Sequence, residues 1–261
     1  ANIVRSVEDT ITAILSATNE ALWHANLTQN VLENTCAFAG LAGANVQLSK
    51  EEFNSWQHPF ANFSVTTDME IACVGAHQEK DGSVIIIGTG FCAGTKVNGQ
   101  VTEMGGYGMF LGDQASGASI GLKAVQHCFK VLDGVKSACL FSDTVLTELN
   151  CSNSDQLLAL SLSAQPSRYA QLAPVVFNLA EQENNIAVQI VTGAAQYVEE
   201  YARYLSEITP HRISLIGGIA KPLTPWLNNT IREQLCPALS APELGAVSLA
   251  RKQLTSCICD R

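Results

Sequence analysis

No apolar run in this sequence is long enough to cross a bilayer, and its first residues lack the basic-then-apolar pattern of a secretory leader. A soluble, cytoplasmic protein with no membrane partner is therefore expected. Basic charge is also scarce. Lys and Arg number 15 against 24 Asp and Glu, for a formal net charge of −9. That balance excludes a broad nucleic-acid or anionic-membrane surface, so an anionic ligand must be met by local backbone N–H donors and helix N-termini. No Cys-x-x-Cys pair occurs among the nine cysteines, which are odd in number and mostly set in apolar runs. They read as reduced, buried thiols rather than a disulfide or metal framework. His24, His58, His77, His127 and His211 lack metal-ligand spacing, so no metal-binding side chains are expected. Internal repeats and low-complexity linkers are absent as well.

What is present describes a globular chain. Its 261 residues, 47% hydrophobic and 15% charged, suit one large or two small domains with ample core. Helical spacing runs from Ile3 to Leu22. Thr35 to Phe38 reads as a strand entering the small-residue turn Ala39–Gly43. Leu48 to His58 reads as a helix with a Ser49/Glu52 capping box. A strand at Phe63–Thr67 leads into a helix from Asp68 to His77. Val84 to Ile87 is a β-branched run typical of a strand buried on both faces. Asn98-Gly99, between Ala93–Val97 and Gln100–Glu103, is a strong hairpin signal. Helices are expected over Gln114–Val131, in short pieces over Thr144–Ser163, and over Arg168–Ala180, Asn185–Ile208, Pro225–Leu235 and Pro242–Leu254. One more strand is expected at Arg212–Ile216. The alternation of β and α gives an α/β class with two lobes and a boundary near Gly82.

Chemistry gathers between Val65 and Gly121. Asp68 falls at a strand's C-terminal tip, where open α/β sheets place ligands; it reads either as a helix N-cap or as a general base. Gly88-Thr89-Gly90 ends the Val84 strand with two residues free to take φ > 0 and backbone N–H groups able to cradle a phosphate. Gly105-Gly106-Tyr107-Gly108 followed by Asp113 offers a carboxylate and free backbone near a helix start, suited to sugar hydroxyls, although Asp113 also fits a plain N-cap. Gly217-Gly218 closes the last strand.

Five segments together carry a resemblance: Thr66–His77 (TTDMEIACVGAH), Ile86–Gly94 (IIGTGFCAG), Gly105–Ala118 (GGYGMFLGDQASGA), Leu215–Ala220 (LIGGIA) and Glu243–Ala250 (ELGAVSLA). Their order and spacing resemble the BadF/BadG-type ATPases, and within them the N-acetylglucosamine and glucosamine kinases. The resemblance implies a two-lobed actin/hexokinase-like fold. Residues 1–82 would form the first lobe, with a helix about 242–254 packing back on it, and 83–241 the second. ATP and Mg²⁺ would be cofactors, and an amino sugar would be phosphorylated at its 6-hydroxyl. Asp68 would be the base; Gly88, Thr89 and Gly90 the second phosphate loop; Gly217 and Gly218 the adenosine-side turn. Asn2, Gly106, Tyr107 and Asp113 would meet the sugar, and a homodimer is what the family suggests. One family element is missing from the string: an Asp-x-Gly-Gly-Thr phosphate hairpin, which would precede Ala1. The chain thus looks cut from something longer. As written it is expected to leave an unpaired sheet edge in the first lobe and to bind ATP poorly. A sugar-sensing module without catalysis, and an ATPase activator of a dehydratase, are the alternative readings.

Overall fold

The computed structural model describes residues 6–44, 53, 55–78 and 80–259; Asn2, Ser49 and Glu52 lie outside them. The fold is α/β and divides into two compact units. Unit 1 comprises residues 1–82, 96–101 and 238–261, and unit 2 residues 83–95 and 102–237.

Unit 1 opens on α1 (Val7–His24), whose first turn is capped where Ser6 Oγ accepts the Asp9 N–H at 3.0 Å. Strands β1 (Cys36–Leu41) and β2 (Asn62–Thr67) pair in parallel, from Cys36↔Asn62 to Leu41↔Thr67. The strand therefore continues through Ala39, Gly40 and Leu41, where the small residues suggested a turn. Gly40 is needed inside it because a Cβ there would sit 2.3 Å from Ile71 Cδ1. Among the described residues this sheet has two strands. An apolar recess of about 930 Å³ runs along β1, lined by Ile14, Ala17, Phe38, Ile71 and Val247 among others. Directly after β2 comes α2 (Asp68–His77), buried along most of its length.

Helix α11 (Pro242–Cys259) returns to pack on α2 backbone to backbone. A Cβ on Gly245 would lie 2.0 Å from the Ile71 carbonyl oxygen, and one on Gly75 would lie 2.6 Å from the Ala241 carbonyl oxygen. Only hydrogen fits at either place.

Unit 2 is built on a sheet of order β5-β4-β3-β6: β3 (Gly82–Ile87), β4 (Phe91–Val97), β5 (Gln100–Gly105) and β6 (Ile213–Ile216). β3 and β6 run parallel, with Ile86 opposite Ile216, so both end at the same edge. Asn98 (φ 50°) and Gly99 (φ 79°), in the hairpin tip of residues 96–101 that belongs to unit 1, turn β4 into β5, as a two-residue hairpin requires. The core is built from β3 (Ile85, Ile87), α3 (Gly117–Leu132) and the long α8 (Asn185–Ile208), with α4 (Leu140–Glu148), α5 (Ser154–Ser163), α6 (Pro166–Ala170) and α7 (Ala173–Glu181) around it. Cys128 is buried there, and desolvation pushes its thiol up to about 12.

The helix expected over Pro225–Leu235 is absent. The chain instead makes α9 (Ala220–Leu223), a 3₁₀ turn at Thr224–Trp226, and α10 (Asn229–Arg232). Asn228 breaks the run: its side chain caps Ile231 N–H at 2.9 Å, while its own N–H donates to Glu199 Oε1 at 2.7 Å.

Candidate active site

In unit 1, Asp68 occupies the first turn of α2. The N-cap is Thr67, whose Oγ1 accepts the Glu70 N–H at 3.2 Å. The N-cap reading of Asp68 is thereby corrected: the neighbouring hydroxyl does that work and the carboxylate is left over. Its Oδ1 accepts the Met69 N–H at 3.0 Å. Thr66 donates its hydroxyl to the Glu70 carboxylate, so the second acid of this turn is already engaged. Burial raises the Asp68 pKa from its ordinary value, opposed by the Met69 hydrogen bond.

In unit 2 the remaining candidates converge at the common edge of β3 and β6. The Gly88–Gly90 link is closed by Gly88 N–H donating to Gly90 O at 2.9 Å. Gly88 and Gly90, though free to take positive φ, do not take it here. The requirement at Gly90 is steric: a Cβ would come 3.2 Å from Asp113 Oδ2. The loop's carbonyls face α3, taking Gly117 N–H at 2.8 Å on Gly88 O and Ala118 N–H at 3.3 Å on Thr89 O. Ser116 Oγ takes the Ser119 N–H at 3.1 Å. The first N–H groups of α3 are thus used internally and are not open to an anion. Thr89 and Gly90 are exposed, and their N–H groups are the loop's remaining donors.

Gly217 does carry the left-handed conformation, with φ 98°. A Cβ there would lie 2.4 Å from the Ile87 carbonyl oxygen, which also accepts the Ile219 N–H at 2.9 Å. Exposed Gly218 follows with open space around it, so the 217–218 turn lies beside the 88–90 link.

Gly105, Gly106 and Gly108 all have positive φ (74°, 73° and 88°), turning the chain out after β5. The turn leaves Tyr107, Phe110 and Leu111 strongly exposed. It then returns to Asp113, which is only 5% exposed and sits at φ 57°. Burial raises the Asp113 pKa, opposed by the backbone N–H groups of Phe91 and Gly108, while its buried Oδ1 has no hydrogen-bond partner. A buried acceptor left over at the mouth of a glycine-built loop is suited to a ligand hydroxyl. Tyr197, which sequence reasoning missed, lies in this neighbourhood: burial, the Tyr201 hydroxyl and the Asp113 carboxylate all raise its pKa. The only sequence signal was that Tyr197 and Tyr201 share one helix face, with their hydroxyls 3.2 Å apart.

An expected result follows for Asp113→Asn. A carboxyl whose folded pKa is raised binds its proton better folded than unfolded, so it favours the fold at acid pH and loses that contribution as pH rises through the folded value. Asn also accepts left-handed backbone readily. Melting temperatures should therefore be similar at acid pH and higher for the variant at neutral pH; a lower neutral-pH value contradicts the assignment.

Residues 1–250 match the model of the BadF/BadG/BcrA/BcrD ATPase family. The glucosamine kinase GspK of Vibrio cholerae is 29% identical over 252 residues, covering 97% of this chain and 85% of that one. A crystal structure from Chromobacterium violaceum, described as a candidate N-acetylglucosamine kinase, is 28% identical with a TM-score of 0.88, covering 95% of this chain and 87% of that one. A ROK hexokinase from Thermus thermophilus shares the fold at 14% identity and a TM-score of 0.51, covering 93% of this chain and 85% of that one.

Proposed function

Since this chain belongs to the BadF/BadG/BcrA/BcrD ATPase family, we propose that it transfers the γ-phosphoryl group of ATP to the 6-hydroxyl of an amino sugar, glucosamine or N-acetylglucosamine. The reading rests chiefly on the exposed Thr89–Gly90 backbone beside the Gly217–Gly218 turn, at the C-terminal ends of two paired parallel strands. Thr89 and Gly90 would donate to phosphate oxygens, and Gly217 and Gly218 would let the adenosine approach the backbone. Gly106, Tyr107 and the free Oδ1 of Asp113 would meet the sugar, with Asn2 as a further contact.

Asp68 would take the proton of the attacking hydroxyl. As the new O–P bond forms and the bond to ADP breaks, that proton rests on Asp68 and then leaves to solvent. Mg²⁺, when bound, would neutralise charge on the phosphates. Mg²⁺ ordinarily keeps several waters and binds through substrate phosphates with one or two carboxylates, so the nucleotide would supply part of its coordination. The homodimer belongs to the same reading.

The test is ADP release by the native gene product with ATP, Mg²⁺ and each sugar in turn, with ³¹P NMR to locate the new ester. Turnover of one sugar to its 6-phosphate supports the proposal. A melting-temperature rise with sugar but no turnover would favour a sensor instead. Because Asp68 is raised by burial, kcat/KM should climb with pH along a limb lying above the ordinary aspartate value. A limb at or below that value would remove Asp68 as the base.

A further inference from the structure

A recess of about 320 Å³ opens between α3 and the start of α8, lined by Lys123, Gln126, His127, Lys130, Ile186, Gln189 and Ile190. Lys123, His127 and Lys130 fall at positions i, i+4 and i+7, so α3 presents all three on one face. In a chain of net charge −9, that is a local reversal of sign. Neither lysine is in an ion pair among the described residues. Lys123 is half-buried, and its Nζ reaches only the Gln114 carbonyl oxygen, at a long 3.4 Å. His127 stands edge-on to Phe141, and its Nε2 is buried with no hydrogen-bond partner. Burial lowers both pKa values, and for His127 the charges of Lys136 and Lys130 add to the effect.

A half-buried Lys123 with no counter-charge, an exposed Lys130 one helix face along, and between them an imidazole nitrogen with nothing to bond form a cost that a bound anion removes. We propose that this recess is a binding site for a small phosphate-bearing metabolite. The phosphate group would lie among Lys123, His127 and Lys130. The amides of Gln126 and Gln189 and the wall of Ile186 and Ile190 would receive the remainder. The volume falls at the low end of small-ligand pockets, about 300–1,000 Å³. Along the helix axis the recess lies about 10–20 Å from Gly117, so it is separate from the edge of β3 and β6. One connection exists: Gln114, whose carbonyl Lys123 contacts, follows Asp113 in the chain. An anion that draws Lys123 away would release that carbonyl, a route by which occupancy could be felt at the candidate sugar contact.

The test follows the His127 side-chain resonance by NMR, assigned with His127→Gln, during titration at constant ionic strength. The probes are inorganic phosphate and glucose 6-phosphate, with chloride as control. The expected result is a saturable shift, at lower concentration for glucose 6-phosphate than for phosphate, and a His127 pKa that rises on binding. Apparent affinity should fall at least tenfold in K123A/K130A and be largely retained in K123R/K130R. Equal melting temperatures of the two double variants confirm that the loss is local; if K123A/K130A is unfolded, the Arg pair and the native protein still decide. The proposal is overturned by no saturable shift into tens of millimolar, by an equal response to chloride, or by an undiminished response in folded K123A/K130A. Because the signal sits at His127, failure here leaves the kinase reading untouched, and failure of turnover leaves this one standing.

Discussion

Asp68→Asn should lower kcat by about 10²–10⁴-fold, the range for loss of a general acid or base, with little change in KM for the sugar. The expectation rests on how little else the substitution touches. Asn matches Asp in shape and can still accept the Met69 N–H, and the helix start depends on Thr67 rather than on residue 68. Stability should therefore hold while the proton acceptor disappears. The check is steady-state kinetics beside a melting curve of the same preparation. Activity within tenfold of the native protein, at unchanged stability, would sink the assignment. A variant that still binds sugar yet turns over slowly would show that ground-state binding and proton transfer are carried by different groups.

The second large effect concerns stability. Gly245→Val should destabilise unit 1 by about 3 kcal/mol or more, at the upper end of what overpacking produces. The added Cβ would meet the Ile71 carbonyl oxygen at 2.0 Å and the Gly75 nitrogen at 2.7 Å. Those are backbone atoms of α2, so no rotamer change relieves the clash and the two helices must separate. Asp68 rides at the start of the displaced helix, so activity should fall too. Gly193→Ala is the control. It lies in α8, and a Cβ added there would meet nothing within 4 Å, so it should stabilise by about 0.5–1 kcal/mol. Thermal or denaturant unfolding of the three proteins decides; a Gly245→Val protein as stable as the native one would refute the close packing.

Where a local pattern determines structure, the sequence was legible. The β-branched run at Val84–Ile87, the Asn98-Gly99 hairpin and the helix Asn185–Ile208 are each specified by neighbouring residues, and all three stand in the structure. The failures come from tertiary partners. Ala39-Gly40-Leu41 has turn composition but is held extended by β2 and covered by Ile71. The run after Pro225 has helical spacing but is broken by the capping of Asn228 and its bond to Glu199. At the candidate site the glycine-built turns could be read, but not the reasons for each glycine. Gly90 is small because of Asp113, not because of its φ, and only Gly217 of the two strand-end turns needs left-handed backbone. Sequence likewise could not show that the first N–H groups of α3 are consumed by Gly88, Thr89 and Ser116, since those bonds exist only after the strand and helix meet.

The discontinuity of unit 1 has a consequence for synthesis on the ribosome. Unit 2 needs nothing beyond residue 237, whereas the helix that seals α2 starts at Pro242 and leaves the exit tunnel only after it. Domains fold as they emerge, and contacts between distant segments form slowly. Unit 2 should therefore be compact while residues 6–82, already translated, still wait for the glycine-to-backbone junction at Gly75 and Gly245. During that interval the apolar residues of α2 and β1 have no permanent cover. Nascent chains arrested before Pro242 should accordingly be bound by chaperones through their N-terminal third, and chains released after α11 should not.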